Sequence, residues 1–269
     1  MKPSRFDYEV PRTLDAAITL LDSDPTAKLV AGGQTLGPML NLRLVQPGLL
    51  IDITRIPDLT RVEETGDGVV YGACVTHAAI EDGRVPDPAG GALRRVARGI
   101  AYRAVRTRGT IGGSLAHADP AADWLSCLAA LGAETIVFDG RARRTIPVAT
   151  LMTGVFETAI TGGEILDGVR VPRLSKQARF GYHKICRKTG EFAEAIGVVL
   201  IDPEHGVCRA VAGATESTPI VIENAAAFLP PDGSFDTLKA ELGRRGLTDA
   251  FSLQLHAVAL QRAASEARL

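Results

Sequence analysis

The sequence contains few cysteines, and their spacing argues against the common metal and cluster motifs. Only four occur in 269 residues, separated by 53, 59 and 22 positions. Zinc and iron–sulfur motifs use close pairs such as Cys-x-x-Cys, and the sequence has no such pair. We therefore expect reduced, buried thiols that pack as small apolar residues. They are Cys74, Cys127, Cys186 and Cys208.

Long apolar runs and an excess of charge of either sign are also absent. No run approaches the roughly 18 to 20 apolar residues of a membrane span, and the first residues lack the apolar core of a signal peptide. The formal net charge of −1 gives no bulk attraction to nucleic acid or to an anionic membrane. With 46% hydrophobic and 23% charged residues, the chain should be globular and large enough for two domains. We expect a cytoplasmic protein with neither a nucleic-acid partner nor a membrane span.

The familiar phosphate-binding signatures are missing too. Gly32 and Gly37 have the outer spacing of the nucleoside-triphosphate loop, but Pro38 and Met39 stand where that loop requires lysine and a hydroxyl residue. The Gly-x-Gly-x-x-Gly pattern of the strand-turn-helix dinucleotide fold does not occur at the glycine pairs either. Any nucleotide site in this chain must therefore have another design.

The sequence does contain two glycine-bearing loops, AGGQTLGP at residues 31–38 and RGTIGGS at residues 108–114. A Gly-Gly pair lets consecutive N–H groups converge on an anion, and each pair is followed by a hydroxyl, on Thr35 or on Ser114. Two such loops suit a diphosphate better than a single phosphate, which indicates a dinucleotide. The alternative, that both glycine pairs are ordinary turns, stays open on these residues alone.

The pattern of apolar residues predicts a mixture of short helices and strands. Caps are expected at Thr13 and Thr76, and the chain changes character near residues 171–173, where a polar stretch follows. Helices are predicted up to about residue 21 and at 92–99 and 120–132; strands are predicted at 28–33, 49–53, 69–73, 134–138, 179–185, 197–201 and 207–213. Because many of the strands look antiparallel, the expected fold class is α+β rather than regular βαβ alternation.

Four segments resemble the FAD-binding subunit of molybdenum hydroxylases, the medium chain of the carbon monoxide dehydrogenase and xanthine dehydrogenase group. They are AGGQTLGPMLNLRL, VRTRGTIGGSLAHADPAADWLSCLAALGAE, GEILDGVRVP and YHKICRKTGEFA, in the family's order. The resemblance implies a noncovalent FAD held by a PCMH-like domain of two α+β subdomains at residues 1–173. It also implies a smaller α+β domain of the CO dehydrogenase flavoprotein type at residues 174–269.

The resemblance also implies roles for individual residues. The two glycine loops would hold the FAD diphosphate, and Asp123 would accept hydrogen bonds from flavin-side hydroxyls. Ile100 and Leu166 would line the cofactor, and Lys184 would lie near the isoalloxazine ring, where a cation favours the anionic reduced flavin. The structural alternative for Lys184 is a strand lysine that points into solvent. The predicted cofactor-binding residues are Ala31, Gly32, Gly33, Gln34, Thr35, Leu36, Gly37, Pro38, Ile100, Thr110, Ile111, Gly112, Gly113, Ser114, Asp123, Leu166 and Lys184.

Other interpretations of these residues are weaker. His117, Asp119 and Asp123 could ligate a metal, and Ser114, His117 and Asp119 could form a hydrolase triad, but each set is confined to one short segment. Capping and cofactor contacts explain them better, so neither a metal nor a catalytic side chain is expected. An arginine run has three open interpretations: a solvated helix face with structural ion pairs, phosphate neutralisation, or partner docking. It consists of Arg94, Arg95, Arg98, Arg103, Arg106 and Arg108.

The predicted function is that of an electron-transfer flavoprotein subunit, an oxidoreductase whose chemistry is carried by FAD. The resemblance implies a large partner subunit with a molybdenum cofactor and a small one with two [2Fe–2S] clusters, assembled as a dimer of heterotrimers. Electrons would pass from the clusters to FAD and then to an external acceptor. Two alternatives remain: a stand-alone flavin reductase or oxidase, and a nucleotide-binding scaffold without redox turnover.

Overall fold

The N-terminal part of the chain forms a small parallel sheet that leads into the first glycine loop. In the computed structural model, which describes residues 2–229 and 233–268, this part contains β1 (Asp7–Glu9), α1 (Leu14–Ser23), β2 (Lys28–Val30), α2 (Leu36–Asn41) and β3 (Leu49–Asp52). Thr13 caps α1 by accepting a hydrogen bond from the N–H of Ala16, as predicted. The strand order is β1-β3-β2, and both pairings are parallel. The antiparallel pairing expected from the sequence does not hold here, because α1 and α2 connect strands that run in the same direction.

The middle of the chain builds a five-stranded antiparallel sheet with helices packed against it. The strands are β4 (Val62–Glu64), β5 (Gly68–Gly72), β6 (Glu134–Phe138), β7 (Arg143–Pro147) and β10 (Ile165–Pro172), in the order β4-β5-β10-β6-β7. A two-stranded hairpin of β8 (Met152–Gly154) and β9 (Glu157–Thr158) lies between β7 and β10 in the chain. The helices are α3 (Pro57–Thr60), α4 (His77–Glu81), α5 (Ala92–Gly99), α6 (Arg103–Arg106), α7 (Ile111–His117), α8 (Asp123–Ala130) and α9 (Val148–Leu151).

The C-terminal part is an antiparallel sheet covered by a long helix. Its strands are β11 (Arg179–Ile185), β12 (Ala195–Asp202), β13 (Val207–Gly213) and β14 (Ile220–Ile222), and its helices are α10 (Phe235–Arg244) and α11 (Ala250–Glu266). Two glycines let α11 lie directly on the sheet. A Cβ at Gly181 would come within 1.8 Å of the Ala263 carbonyl oxygen, and one at Gly197 within 2.3 Å of the Ala259 carbonyl carbon.

One apolar core joins the middle of the chain to the C-terminal sheet. Every residue of α8 is buried, and the helix packs against both β12 and β13. The same apolar cluster contains Trp124 of α8, Val198 of β12 and Val211 of β13. The division of the chain near residue 173 therefore stays a prediction, since the core continues past it.

Most predicted elements are present, and the predicted α+β class is confirmed. The helix expected at residues 120–132 is shorter and begins at Asp123. Pro120 instead lies in a turn, in which the N–H of Ala121 donates to the Asp119 carboxylate and that of Ala122 to the Asp119 carbonyl.

Within residues 2–229 and 233–268, no helix is both long enough and apolar enough to cross a bilayer.

Candidate functional site

The first glycine loop connects β2 to α2 and presents a row of free backbone donors. Gly33 has a φ of +68°, a conformation in which glycine is favoured. Among the described residues, no acceptor pairs with the N–H groups of residues 33–36. Thr35 precedes α2 without using its hydroxyl as a cap. Four consecutive N–H groups and a hydroxyl are therefore available to an anion.

The second loop differs, because its backbone donors already have partners. The Thr110 hydroxyl caps α7 by accepting from the N–H of Gly113, and the Thr110 carbonyl accepts from the N–H of Ser114. The N–H groups of Ile111 and Gly112 donate to the carbonyls of Val75 and Ala73. The prediction that both glycine pairs converge free N–H groups on one anion is wrong for this loop. The donors this loop can still offer come from side chains, among them the hydroxyl of the half-buried Ser114.

The fold brings the two loops into direct contact. A Cβ at Gly32 would lie 2.0 Å from the carbonyl oxygen of Arg108, so only glycine fits there without moving the backbone. A Cβ at Gly113 would lie 3.9 Å from the Cβ of Ala31. The Arg108 Nε also donates to the Gly32 carbonyl at 3.4 Å. Segments about eighty residues apart in sequence thus form one surface, on which Gln34, Leu36 and Gly37 are half-buried and Pro38 is exposed.

Asp123 and Lys184 lie together in a buried polar cluster. The Lys184 Nζ is 3.1 Å from the Asp123 Oδ1 and 3.2 Å from its Oδ2, and the side chains are 9% and 6% exposed. The Tyr182 hydroxyl also donates to Asp123. The solvent-facing alternative for Lys184 is therefore wrong. Burial raises the pKa of the Asp123 carboxyl, an effect opposed by the charge of Lys184 and the Tyr182 hydrogen bond, and burial also raises the pKa of Tyr182.

Ile100 and Leu166 lie in different places, the first next to a residue that contacts Lys184 and the second behind the second loop. Ile100 is half-buried and follows Gly99, whose carbonyl accepts from the Lys184 Nζ at 3.5 Å. Leu166 is buried in β10, next to Asp167. The Asp167 carbonyl accepts from the N–H of Ala73, and Ala73 in turn accepts from Gly112. Leu166 therefore lies behind the second loop, one strand away from it.

Sequence reasoning missed two residues that organise the site. Tyr182 lies two positions before Lys184 on β11, so the period of a strand puts both on one face, and that spacing was a usable signal. His77 had no such signal. Its ring Nδ1 accepts a hydrogen bond from the Trp124 Nε1 at 3.0 Å, and its backbone N–H donates to the Gly109 carbonyl at 2.9 Å. Burial lowers the pKa of His77 to about 4, which keeps the ring neutral beneath the second loop.

The weaker interpretations have no geometric support. The ring of His117 packs on Phe156, with 4.9 Å between centroids, while Asp119 holds the turn before α8. Within the described part of the chain, no three metal-ligating side chains gather around one point.

The cysteines partly match the expectation. All four are free thiols, Cys74 and Cys127 are buried, and Cys186 and Cys208 are half-buried. Burial raises the pKa of Cys74 to about 12, which makes this thiol unreactive near neutral pH.

These residues fit a dinucleotide such as FAD. A diphosphate needs several donors in a row, and the free N–H groups of residues 33–36 supply them. Close backbone packing leaves no room for a side chain at Gly32, where a Cβ would lie 2.0 Å from the Arg108 carbonyl oxygen of the second loop, or at Gly112, where it would lie 2.7 Å from the Ala73 Cα. The buried cluster of Asp123, Tyr182 and Lys184 provides donors and an acceptor for the polar edge of a flavin.

Comparisons with known proteins agree with this chemistry. The family described as the FAD binding domain in molybdopterin dehydrogenase matches residues 4–174. The chain is 38% identical over 201 residues to the nicotine 6-hydroxylase medium subunit of Paenarthrobacter nicotinovorans, covering 74% of this chain and 70% of that protein. It is 37% identical over 201 residues to the carbon monoxide dehydrogenase medium chain of Hydrogenophaga pseudoflava, covering 72% and 68%. A solved carbon monoxide dehydrogenase from Hydrogenophaga pseudoflava, which lacks the Mo-pyranopterin moiety, superposes with a TM-score of 0.87 at 32% identity, over 100% of this chain and 99% of that one.

Proposed function

The chain belongs to the family of FAD-binding domains of molybdopterin dehydrogenases, and from this premise we propose that it carries electrons from a partner's iron–sulfur clusters, through FAD, to an external acceptor. Membership makes it an FAD-binding oxidoreductase subunit of the molybdenum hydroxylase type. The electron route and the roles of individual residues are the proposal.

The diphosphate would lie on the first loop, where it would accept hydrogen bonds from the N–H groups of residues 33–36. The hydroxyls of Thr35 and Ser114 would add donors from the two loops. Ala31, Gln34, Leu36, Gly37 and Pro38 would shape the first loop's side of the site. Ile111, Gly112 and Gly113 would act mainly through the backbone, since their N–H groups hold the second loop in place, and Thr110 would cap α7 with its hydroxyl.

The flavin end would lie by the buried polar cluster, with Ile100 and Leu166 as apolar walls. Bound FAD supplies the redox chemistry, and the protein supplies position, electrostatics and exclusion of water. Because the Lys184 ammonium touches the Asp123 carboxylate, much of its charge is balanced when both groups are ionised. Tyr182 holds its proton on the hydroxyl that donates to Asp123. The three residues would therefore orient the flavin. Their effect on its reduction potential would be smaller than that of one isolated cation.

The partners would be a small subunit with two [2Fe–2S] clusters and a large subunit with a molybdenum cofactor. The relatives are medium subunits or chains of multi-subunit enzymes, which supports this assignment. A dimer of heterotrimers is the assembly we propose.

One observation carries the proposal: a loop with four free N–H groups lies against a second glycine loop, in a chain that also buries a lysine–carboxylate pair. The experiment is affinity purification of the tagged chain from cells that also express the proposed small and large subunits, followed by anaerobic titration with dithionite. We expect iron, molybdenum and FAD in the complex. Electrons added by dithionite should distribute between the clusters and the flavin, so that the absorbance of both changes during the titration.

Two other outcomes would contradict the electron route. Flavin turnover by the isolated chain, with no partner recovered, would favour a stand-alone reductase or oxidase. A complex whose flavin stays oxidised while its clusters are fully reduced, even on prolonged incubation, would favour a scaffold without redox turnover.

A further inference from the structure

The structure divides the arginine run into paired and unpaired side chains. Arg95 pairs with Glu266, Arg103 with Glu81 and Asp82, and Arg106 with Glu81. Arg106 also donates to the carbonyls of residues 100 and 101, so it fixes the segment after α5. These three arginines are structural, and their charges are balanced by carboxylates.

Arg108 is different in position and in charge balance. Its side chain is exposed, and none of the carboxylates in the described ranges lies within 4.0 Å of its guanidinium. Its backbone carbonyl packs against Gly32, and its Nε donates to the Gly32 carbonyl at 3.4 Å. The guanidinium therefore lies beside the loop whose N–H groups 33–36 are free.

The carboxylate that Tyr8 contacts already has its own donors. Asp52, at the end of β3, accepts from the Tyr8 hydroxyl at 2.5 Å and from the N–H and hydroxyl of Thr54. The contact with the neutral Gly32 carbonyl uses only the Nε–H of the Arg108 guanidinium. The remaining N–H groups keep the planar geometry that binds two phosphate oxygens at once.

We propose that Arg108 binds the diphosphate of FAD across the first glycine loop, and thereby makes the chain select a dinucleotide over a flavin that lacks the diphosphate. This inference rests on the proposed function and assigns one more residue to that site. The loop donors contact the phosphates from the backbone side, and Arg108 closes over them from the second loop. Both loops then contribute to the same anion even though only the first has free N–H groups.

The test compares the binding of FAD and of riboflavin to the full chain, freed of flavin, by fluorescence titration. Arg108→Ala should weaken FAD binding by about tenfold to a hundredfold, because it removes one charged, bidentate donor. The FAD affinity of Arg108→Lys should lie between those of the wild type and Arg108→Ala. Riboflavin affinity and the melting temperature of the flavin-free chain should stay at the wild-type values. The matched control is Arg98→Ala, an exposed and unpaired arginine of the same run among the described residues.

A second readout separates electrostatics from structure. Added salt should weaken FAD binding less in Arg108→Ala than in the wild type, because the charge that salt screens has been removed. Wild-type FAD affinity in Arg108→Ala would overturn the inference, as would an equal loss for FAD and riboflavin, which a purely structural role predicts. A wild-type chain that binds neither flavin would instead sink the proposed function, and the inference with it.

Discussion

At the residue scale, His77 shows how a neutral side chain supports the second loop. Its ring Nδ1 accepts a hydrogen bond from the Trp124 indole, and its backbone N–H donates to the Gly109 carbonyl. A Cβ at Gly109 would lie 2.9 Å from the imidazole ring. Its pKa falls from the ordinary 6.5 to about 4 because burial disfavours the charged ring. A protonated His77 could not accept from Trp124 at Nδ1, so protonation and loop position are coupled.

This coupling predicts a specific acid sensitivity. The unfolded chain takes up a proton at His77 below pH 6.5, while the folded chain resists it until about pH 4. The associated stability is fully present above pH 6.5 and is lost as pH falls toward 4, by about 3 kcal/mol in total. In His77→Asn the side-chain oxygen can still accept from Trp124, but there is no imidazole to titrate. The free energy of unfolding, measured in urea, should therefore change less steeply with pH between 4 and 6.5, by the amount that about one proton taken up on unfolding contributes. Parallel stability curves for the variant and the wild type would contradict this assignment.

The contacts among the proposed site residues could be predicted from the sequence only in part. Lys184 and Asp123 were identified by the motifs that carry them, but their mutual contact joins positions 61 residues apart and has no local signature. The arginine run looked like one feature in the sequence. It separates because tertiary structure brings carboxylates to Arg95, Arg103 and Arg106, at positions that the local sequence does not reveal.

At the element scale, the two loops depend on glycine for different reasons. Gly32 is required because the backbone of Arg108 occupies the place of a Cβ, whereas a Cβ at Gly37 would meet nothing within 4 Å. Gly37 also lies in α2, where alanine is a better helix former. The same loop thus offers a sensitive and an insensitive glycine.

We expect Gly32→Ala to reduce the free energy of unfolding by about 1 to 3 kcal/mol, since a backbone segment must move. Gly37→Ala should be neutral or stabilise the chain by up to about 1 kcal/mol. Denaturant unfolding of both variants without flavin measures this difference. If Gly32→Ala were as stable as Gly37→Ala, the close contact between the loops would be wrong.

Local signals predicted most elements, and the misses have physical causes. The caps at Thr13 and Thr76 both form as predicted, because capping depends on a few neighbouring residues. The start of α8 was placed too early because Asp119 holds the preceding residues in a turn. The parallel pairing of β1 was missed because this strand is short, polar and exposed, so only its neighbour β3 defines it.

At the scale of the whole molecule, the predicted site draws on both predicted domains. Asp123 begins α8 in the first domain, while Tyr182 and Lys184 lie on β11 in the second. The buried α8 packs on the C-terminal sheet, so the polar cluster proposed for the flavin depends on that packing. The glycine loops alone would hold the diphosphate, but they would lack the polar cluster proposed for the flavin ring.

FAD binding by this chain is tested most directly by the flavin content of the purified protein, measured by absorption and by chromatography of the flavin released on denaturation. We expect stoichiometric, noncovalent FAD, released intact, and its loss when Gly112 and Gly113 are replaced by bulky residues. A folded, colourless chain that leaves the fluorescence of added FAD unchanged would contradict it.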